Sequence, residues 1–140
     1  MDDLSLSGTF DHSLDPKGRV TLPARYREHF QHGVVLVRLP GGEPCINVYH
    51  PATWERFDDK YIEPLNVFES KRDAWTARAI YMNQDRVEPD AQGRVLLSAR
   101  QIKEVGLAGK VTIIGARDHL EIWDPQTFAR RQEEMGSADA

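Results

Sequence analysis

The sequence has 140 residues, of which 40% are hydrophobic and 29% charged, and this composition predicts a globular protein of one compact domain or two small halves. No apolar run approaches the roughly 18 residues that span a bilayer, and the acidic N-terminus is unlike a secretory signal, so a soluble cytoplasmic protein is expected. The single cysteine, Cys45, excludes an internal disulfide and a cysteine metal cage, and the net charge of -4 argues against a uniformly basic nucleic-acid-binding domain.

The first predicted elements are two short strands joined by a tight turn. Residues 9–14 are expected to form a strand that ends in the turn 15–18, where Gly18 can adopt a positive φ. Residues 19–22 have an apolar side chain at every second position, which predicts a half-buried strand.

A short helix and a second hairpin are predicted next. Pro23 suits the first helical position, and Tyr26 and Phe30, four residues apart, are expected to be buried on one face of the helix. Strands are predicted over 34–39 and 45–49, on either side of a turn rich in Pro and Gly.

Two helices are expected to connect this region to the rest of the chain. Pro51 opens a helical stretch over 52–61, and a second helix is predicted over 69–82, with Trp75 and Ala79 among its inward candidates. The connection is therefore predicted to be helical and not a flexible linker.

The last third repeats the earlier order with different local chemistry. Ser98 and Gln101 have the spacing of a capping box at the start of a short helix, which Gly106 ends. Strands over 111–114 and 120–123 are predicted to form the closing hairpin.

A C-terminal helix is predicted after this hairpin. Asp124 is suited to the N-cap and Pro125 to the first turn, so a helix is expected through about Glu134. The tail 136–140 has little to order it.

The chain contains one unit written twice. Residues 15–25 align with residues 90–100 at a constant offset of 75, and seven of the eleven positions are identical, whereas unrelated windows share about one. Each copy is predicted to form a strand, a turn, a second strand, a helix, a third strand, a turn and a fourth strand. Because about 60 residues is near the lower limit for an independent core, the copies are expected to pack as a pseudo-twofold pair and to associate further between chains.

Positive charge is concentrated in the two copies of this unit. Residues 15–27 carry four Lys or Arg against one Asp, and residues 86–103 carry four against two carboxylates, although the chain as a whole is acidic. Because the basic residues cluster in the duplicated unit, the sequence predicts two basic surfaces that bind an anionic partner.

The duplicated Asp-x-x-Gly-Arg-Val unit, with Leu-Pro-Ala-Arg-Tyr-Arg-Glu after the first copy, resembles the MraZ family of bacterial transcriptional regulators over roughly residues 7–130. The resemblance implies an α+β, β-rich fold of two tandem SpoVT–AbrB-like swapped-hairpin units, packed as a pseudo-twofold pair with short connecting helices. The expected divisions are repeat 1 (7–57), a helical connector (58–81), repeat 2 (82–128) and the C-terminal helix end and tail (129–140).

The function implied by the resemblance is repression of transcription. The family is cytoplasmic and nucleoid-associated, and it binds double-stranded DNA at short tandem promoter repeats as a closed homo-oligomeric ring. Those repeats lie upstream of the division and cell-wall gene cluster, to which the family's own gene belongs.

The candidate site residues lie in and after the two turns. The resemblance assigns DNA contact to the arginine of the Asp-x-x-x-Arg signature, and a guanidinium fork can bind phosphate or guanine with two parallel hydrogen bonds. The aspartate is expected to cap the turn and orient the arginine, with a purely structural ion pair as the alternative. The predicted DNA-binding residues are Lys17, Gly18, Arg19, Arg25, Arg27, Arg94 and Arg100, and the predicted turn-orienting residues are Asp15 and Asp90.

The second copy departs from the first at two positions of this site. Gln92 stands where the first copy has Lys17, and Ser98 stands where it has Pro23. These differences predict weaker DNA contact by the second copy.

An enzyme is the first alternative. His29 and His32 have a spacing that helices use for metals, but no carboxylate partner accompanies them, so no metal site is expected. Gly106, Gly109 and Lys110 lack phosphate-loop spacing, and Cys45 is expected to be a buried small residue. The sequence shows no Ser/His/Asp arrangement typical of a catalytic nucleophile, so neither catalysis nor a cofactor is predicted.

A protein-interaction module is the second alternative. Antitoxins use the same β unit to bind a partner toxin, but they usually carry one copy and a trailing segment that folds on the partner. Trp54, Trp75 and Trp123 could anchor protein contacts, although packing in the core or in a ring interface is the favoured use.

Overall fold

The computed structural model describes residues 4–138, and the side chains of residues 4–136. Within this range the elements follow the predicted order of two similar units. The strands are β1 (Thr9–Ser13), β2 (Arg19–Thr21), β3 (Val34–Val37), β4 (Ile46–Tyr49), β5 (Gln84–Val87), β6 (Arg94–Leu96), β7 (Lys110–Gly115) and β8 (Leu120–Trp123). The α-helices are α1 (Arg27–Phe30), α2 (Pro51–Phe57), α3 (Lys71–Tyr81), α4 (Ala99–Glu104) and α5 (Pro125–Ala138), and a π-helical stretch over Asp58–Ile62 continues α2.

The two repeats exchange strands. Six strands form one antiparallel sheet in the order β1-β7-β8-β4-β3-β5, while β2 and β6 form a separate two-stranded ribbon. Thus β1 of the first repeat pairs with β7 of the second, and β5 of the second repeat pairs with β3 of the first. The α+β fold and the expected hairpin exchange are confirmed, while the division of the chain at 57, 81 and 128 stays a prediction.

Strand register relates the two halves by a pseudo-twofold axis. Val20 faces Val95 at the middle of the ribbon, and these two residues differ by the repeat offset of 75. Asn47 faces Glu121 at the middle of the sheet, where β4 pairs with β8, and these two residues are equivalent when Ile46–Tyr49 is aligned with Leu120–Trp123. Both pairs join equivalent positions of the two repeats, so the axis passes through the ribbon and through the centre of the sheet.

Both faces of the sheet are covered by other elements. The strand β3 shows this, since it is buried along its whole length. Val34 and Leu36 face the side where the ribbon, α1 and α4 pack, and Val35 and Val37 face the side where α2 and α3 pack. On the second half of the sheet, Trp123 contacts Phe128 of α5 at a ring distance of 5.2 Å. The ribbon therefore lies on the face of the sheet opposite α2, α3 and α5.

Three local predictions require correction. Pro23 is not the first helical residue but precedes a 3₁₀ turn over Ala24–Tyr26, from which α1 continues. Trp75 does not face inward: its side chain is 64% exposed, whereas Ile80 is the buried residue of α3. The C-terminal helix extends to Ala138, beyond the predicted end, and residues 139–140 of the predicted tail lie outside the described residues.

The helix starts and stops follow the expected local chemistry. Ser98 and Gln101 form the predicted capping box of α4, and Gly106 adopts a φ of 70° after that helix. The Asp124 carboxylate accepts a hydrogen bond from the Thr127 N–H at 3.0 Å, as an N-cap does. No helix within residues 4–138 is both long and apolar enough to cross a membrane.

Candidate nucleic-acid interface

The first turn is closed by the side chain of Asp15. Its Oδ1 accepts hydrogen bonds from the N–H groups of Lys17 and Arg19 at 2.9 and 2.8 Å, and its Oδ2 accepts one from Arg19 Nε at 2.7 Å. The Asp15 carbonyl accepts from the Gly18 N–H at 3.0 Å, and Gly18 has a φ of 86°. Because an L side chain rarely adopts this φ, glycine is the residue that suits the last position of the turn.

The second turn has the same network. Asp90 Oδ1 accepts from the N–H groups of Gln92 and Arg94 at 3.0 and 2.9 Å, and Oδ2 accepts from Arg94 Nε at 2.6 Å. Gly93 has a φ of 78° and donates to the Asp90 carbonyl at 2.9 Å. The duplicated sequence therefore encodes a duplicated clamp between an aspartate and an arginine.

Both clamping carboxylates are held in the charged form. The pKa of Asp15 lies below its usual range, first because the Arg19 N–H donates to the carboxylate and further because the Arg19 guanidinium binds it, and these effects outweigh its desolvation. The same groups of Arg94 lower the pKa of Asp90. Each arginine thus keeps an ionised partner at neutral pH.

Arg19 and Arg94 lie on one face of the ribbon. Their side chains are 27% and 30% exposed, whereas Val20 and Val95 between them are fully buried on the opposite face. Among the described residues, only the Nε of each guanidinium has a hydrogen-bond partner, so the two Nη groups of each are available to an incoming ligand. The guanidinium groups are not enclosed by the fold.

Each turn packs against the other repeat. The Leu97 N–H donates to the Gly18 carbonyl at 2.9 Å, and a Cβ built on Gly18 would lie 3.3 Å from Ile102 Cδ1. At the other end, the Leu22 N–H donates to the Gly93 carbonyl at 2.9 Å. The Arg27 side chain lies across Gly93, where a Cβ would come within 2.6 Å of Arg27 Cδ.

The other predicted cations are distributed differently. Lys17 is exposed in the first turn, and Arg27 is beside the second turn and donates from Nε to the Leu22 carbonyl at 3.1 Å. Arg25 stacks over the Phe10 and Tyr26 rings, 5.7 and 5.9 Å from their centroids.

Arg100 pairs with Glu104 at 2.8 Å and reaches the Met82 carbonyl, two residues before β5. Arg25 and Arg100 therefore extend toward the edge strands β1 and β5, and these contacts are not with the ribbon.

Two further residues share the outward face of the ribbon and were not among the sequence candidates. Thr21 pairs with Arg94, and Leu96 pairs with Arg19, so both lie on the arginine-bearing face. Leu96 is 55% exposed although it is apolar. The sequence could have identified these two residues, because alternate residues of a strand lie on the same side. Position 21 therefore shares the side of position 19, and position 96 shares the side of position 94.

The histidine and cysteine candidates for metal binding or catalysis lie in ordinary packing environments. The His29 ring contacts the Phe30 and His50 rings at 4.7 and 4.8 Å. Cys45 is buried, and burial raises the pKa of its thiol. No group of three or more His, Cys, Asp or Glu side chains suited to a metal ion occurs in the described part of the chain.

Comparisons with known proteins agree on one family. A family model described as "MraZ protein, putative antitoxin-like" matches residues 5–75 and again residues 80–140. The transcriptional regulator MraZ of Corynebacterium efficiens is 36% identical over 134 residues, covering 95% of this chain and 90% of the relative. The regulators of the same name from Thermomicrobium roseum and Paraburkholderia xenovorans are 32% and 35% identical over 126 residues, covering 90% and 86% of this chain and 86% and 83% of each relative.

Proposed function

Because the chain belongs to the MraZ family of transcriptional regulators, a family of non-enzymes, we propose that it is a sequence-specific repressor that binds double-stranded DNA through the arginine-bearing face of the β2–β6 ribbon. Its proposed targets are short tandem repeats in the promoter of the division and cell-wall gene cluster that includes its own gene. It acts in the cytoplasm, on the nucleoid, as a closed ring of identical chains.

The duplicated clamp carries the DNA-binding proposal. In each turn the aspartate binds Arg19 or Arg94 at Nε, which orients the guanidinium and leaves both Nη groups without a hydrogen-bond partner among the described residues. Such a planar fork forms two parallel hydrogen bonds with a phosphate or with guanine O6 and N7. Because the clamp fixes the side chain before binding, less conformational entropy is lost when DNA is bound.

The ribbon has suitable dimensions for a DNA groove. Arg19 and Arg94 are offset by two residues along the strands, so their Cα atoms lie about 8 Å apart by standard strand geometry. The major groove of B-DNA is about 12 Å wide and admits a two-stranded β-ribbon. One ribbon can therefore present both arginines to a single groove.

The assembly proposal rests on the number of cations available to one protomer. Binding to DNA weakens with salt in proportion to the phosphates that are neutralised, and one ribbon face offers only a few cations. In a ring the same face is repeated, so tandem DNA repeats can be bound together, and avidity can add about 10²–10⁴ to the affinity.

An exposed apolar surface on the α3 side of the molecule is suited to association with a second copy. It comprises Val67, Phe68 and Trp75, which are 43%, 98% and 64% exposed. The edge strands β1 and β5 are less suitable, since exposed Asp11, Asp85 and Arg86 discourage pairing between sheet edges.

A groove between α2 and α3 is the complementary surface. Its volume is about 330 Å³, and its lining includes Trp54, Phe57 and Ile80. Trp75 and Ile80 are five residues apart on α3, about 140° around the helix, so the exposed surface and the groove point in different directions. Contact between two different surfaces is the arrangement that generates rings.

Charge near the two apolar surfaces also favours this contact. Residues 55–63 beside the groove carry four carboxylates against two cations, and residues 69–78 beside the exposed surface carry three cations against two carboxylates. Opposite net charges on the two surfaces steer two copies into a head-to-tail arrangement.

Titration of a labelled duplex from upstream of the chain's own gene tests the DNA-binding proposal. Arg19→Ala is expected to abolish binding at physiological salt without changing the native mass, because the substitution removes a charge-assisted hydrogen bond to DNA from every protomer. Arg94→Ala is expected to lower affinity at least about tenfold. Arg130→Ala on α5, on the opposite side of the sheet, is the control for net charge and leaves binding unchanged.

Two results would contradict the proposal. One is unchanged affinity of folded Arg19→Ala, and the other is equal affinity of the wild type for the promoter duplex and for a scrambled duplex of the same length. The wild-type affinity is expected to fall steeply between about 50 and 200 mM salt, as it does for proteins with several phosphate contacts.

A protein-interaction module is the alternative, supported by the exposure of Phe68 and Trp75. It predicts no binding to the upstream duplex and a stable complex with a different protein. The same titration therefore separates the two functions.

A further inference from the structure

The two ends of the ribbon are related by the pseudo-twofold axis but do not carry the same cations. At the first end, Lys17 of the turn accompanies Arg19, while at the second end Gln92 occupies the position of that lysine. Taken alone, the second turn offers one cation fewer for phosphate.

The exchange of hairpins brings a cation from the first repeat to the second end. Arg27 of α1 lies against the second turn, with its Cδ and Cγ where a Cβ on Gly93 would come within 2.6 and 2.9 Å. The residue equivalent to Arg27, 75 positions later, is Ile102, which packs against Gly18 of the first turn. Position 92 therefore lacks the cation that its equivalent, position 17, carries. Position 27, in contrast, carries a cation that its equivalent, position 102, lacks.

We propose that Arg27 supplies to the second end of the ribbon the phosphate-binding cation that Lys17 supplies to the first. Each end then combines a clamped arginine on the strand with one additional cation, from its own turn at one end and from the other repeat's helix at the other. This inference rests on the proposed DNA-binding function and assigns the phosphate contacts within it.

The geometry of Arg27 agrees with this role. Its Nε donates to the Leu22 carbonyl at 3.1 Å, which fixes the side chain across Gly93, and no other hydrogen bond of its guanidinium occurs among the described residues. Arg27 also borders an open groove of about 590 Å³ beside Asp90 and Ala91, where the backbone of the second turn is accessible. A phosphate in this groove could contact both the turn and the guanidinium.

A neighbouring histidine is affected by the Arg27 charge. Burial and then the nearby Arg27 guanidinium lower the pKa of His12 on β1, so that residue stays neutral and adds no charge of its own at this end. Glu28 also lines the groove, and its carboxylate makes a local cation necessary for binding an anion there.

Exchanging residues between equivalent positions tests the proposal. Titrations of the labelled promoter duplex with the full chain compare the wild type with Arg27→Ile and Lys17→Gln, each of which introduces the residue found at the equivalent position of the other repeat. Each variant is expected to bind about tenfold more weakly, and the log–log salt slope is expected to decrease by about 1 for each phosphate that a protomer no longer neutralises.

The decisive variant is the double exchange Arg27→Ile with Gln92→Lys. It is expected to recover affinity to within about threefold of the wild type, since a lysine in the second turn replaces the missing cation. Gln92→Lys alone is expected to bind within about threefold of the wild type, because Arg27 already binds the phosphate at that end, whereas a purely structural role of Arg27 predicts that Gln92→Lys raises the affinity equally with and without Arg27. Arg27→Lys, which keeps the charge but not the Nε fork, is expected to retain most of the affinity.

The outcomes separate this proposal from the function on which it rests. If the wild type does not bind the duplex, the DNA-binding function fails. If the wild type binds and Arg19→Ala abolishes binding, but Arg27→Ile binds as the wild type does or the double exchange fails to recover, only the role of Arg27 is overturned. Arg130→Ile serves as the matched control for removal of an arginine charge.

Discussion

His119 is held between two carboxylates at the start of β8. One ring nitrogen lies 2.7 Å from Asp118 Oδ1 and the other 2.9 Å from Glu121 Oε2, and the ring stacks on Tyr49 at 4.8 Å. Both nitrogens can donate only when the ring is protonated. Burial disfavours the charged ring, but the bonds to Glu121 and Asp118 outweigh it, so the pKa of His119 is raised above its ordinary 6.5.

The raised pKa predicts how stability depends on pH. His119 binds a proton more tightly in the folded than in the unfolded chain, so its contribution is fully present below about pH 6.5 and is lost as pH rises through the folded pKa. The urea midpoint of the wild type is therefore expected to fall as pH increases above about 6.5, with a smaller slope in His119→Gln. Equal slopes for the two proteins would show that folding does not raise the pKa of His119.

The helices that follow the two ribbon strands start differently although their sequences align. After β2, Pro23 leads into a 3₁₀ turn and the four-residue α1, and neither start has a side-chain cap. After β6, Ser98 accepts from the Gln101 N–H while the Gln101 side chain accepts from the Ser98 N–H, and α4 has six residues. The reciprocal cap satisfies the N–H groups of Ser98 and Gln101 with side chains, whereas at the equivalent positions of the first repeat Pro23 has no N–H and the Tyr26 N–H donates to the Pro23 carbonyl at 2.9 Å.

Loss of this cap has a predictable cost. Ser98→Ala is expected to lower the free energy of unfolding by about 1 kcal/mol, as measured by urea denaturation. Ser13→Ala is the control, since Ser13 is exposed on the edge strand β1 and makes no side-chain hydrogen bond within residues 4–138. A Ser98→Ala midpoint equal to that of the control would contradict the capping role.

At the scale of the molecule, the exchange of hairpins makes the two repeats interdependent. The largest core cluster combines Val20 and Leu22 of the first repeat with Val95 and Leu97 of the second. Because ribbon and sheet both contain strands from each repeat, neither set of strands completes its hydrogen bonding alone. The same exchange orients Arg19 and Arg94 on one surface.

The exposed apolar surface predicts how the proposed ring responds to substitutions. Phe68→Ser and Trp75→Ser are expected to reduce the native mass from that of a ring toward that of a monomer, because each removes apolar area from the proposed contact between copies. Native mass spectrometry measures this change. Met135→Ser on α5, where the side chain is also about half exposed, is the matched control and leaves the mass unchanged. A monomeric wild type would contradict the ring.

The amino-acid sequence alone was enough to predict most of the elements and their duplication. The offset of 75 identified two equivalent units, and local chemistry predicted the turns, the capping box and the inward faces of the short strands, since turn, cap and alternation depend on residues close together in the chain. The Asp15–Arg19 and Asp90–Arg94 contacts were predictable for the same reason, because each spans four residues.

The repeat that each turn contacts could be identified only from the folded chain. That Arg27 lies beside the second turn and Ile102 beside the first follows from the strand exchange, which no spacing within one repeat encodes. Trp75 was wrongly expected to face inward, because the pattern of α3 does not show which of its faces the sheet covers. Pairing between distant strands sets both outcomes, since it depends on the hydrophobic surface buried by the whole chain and not on neighbours in sequence.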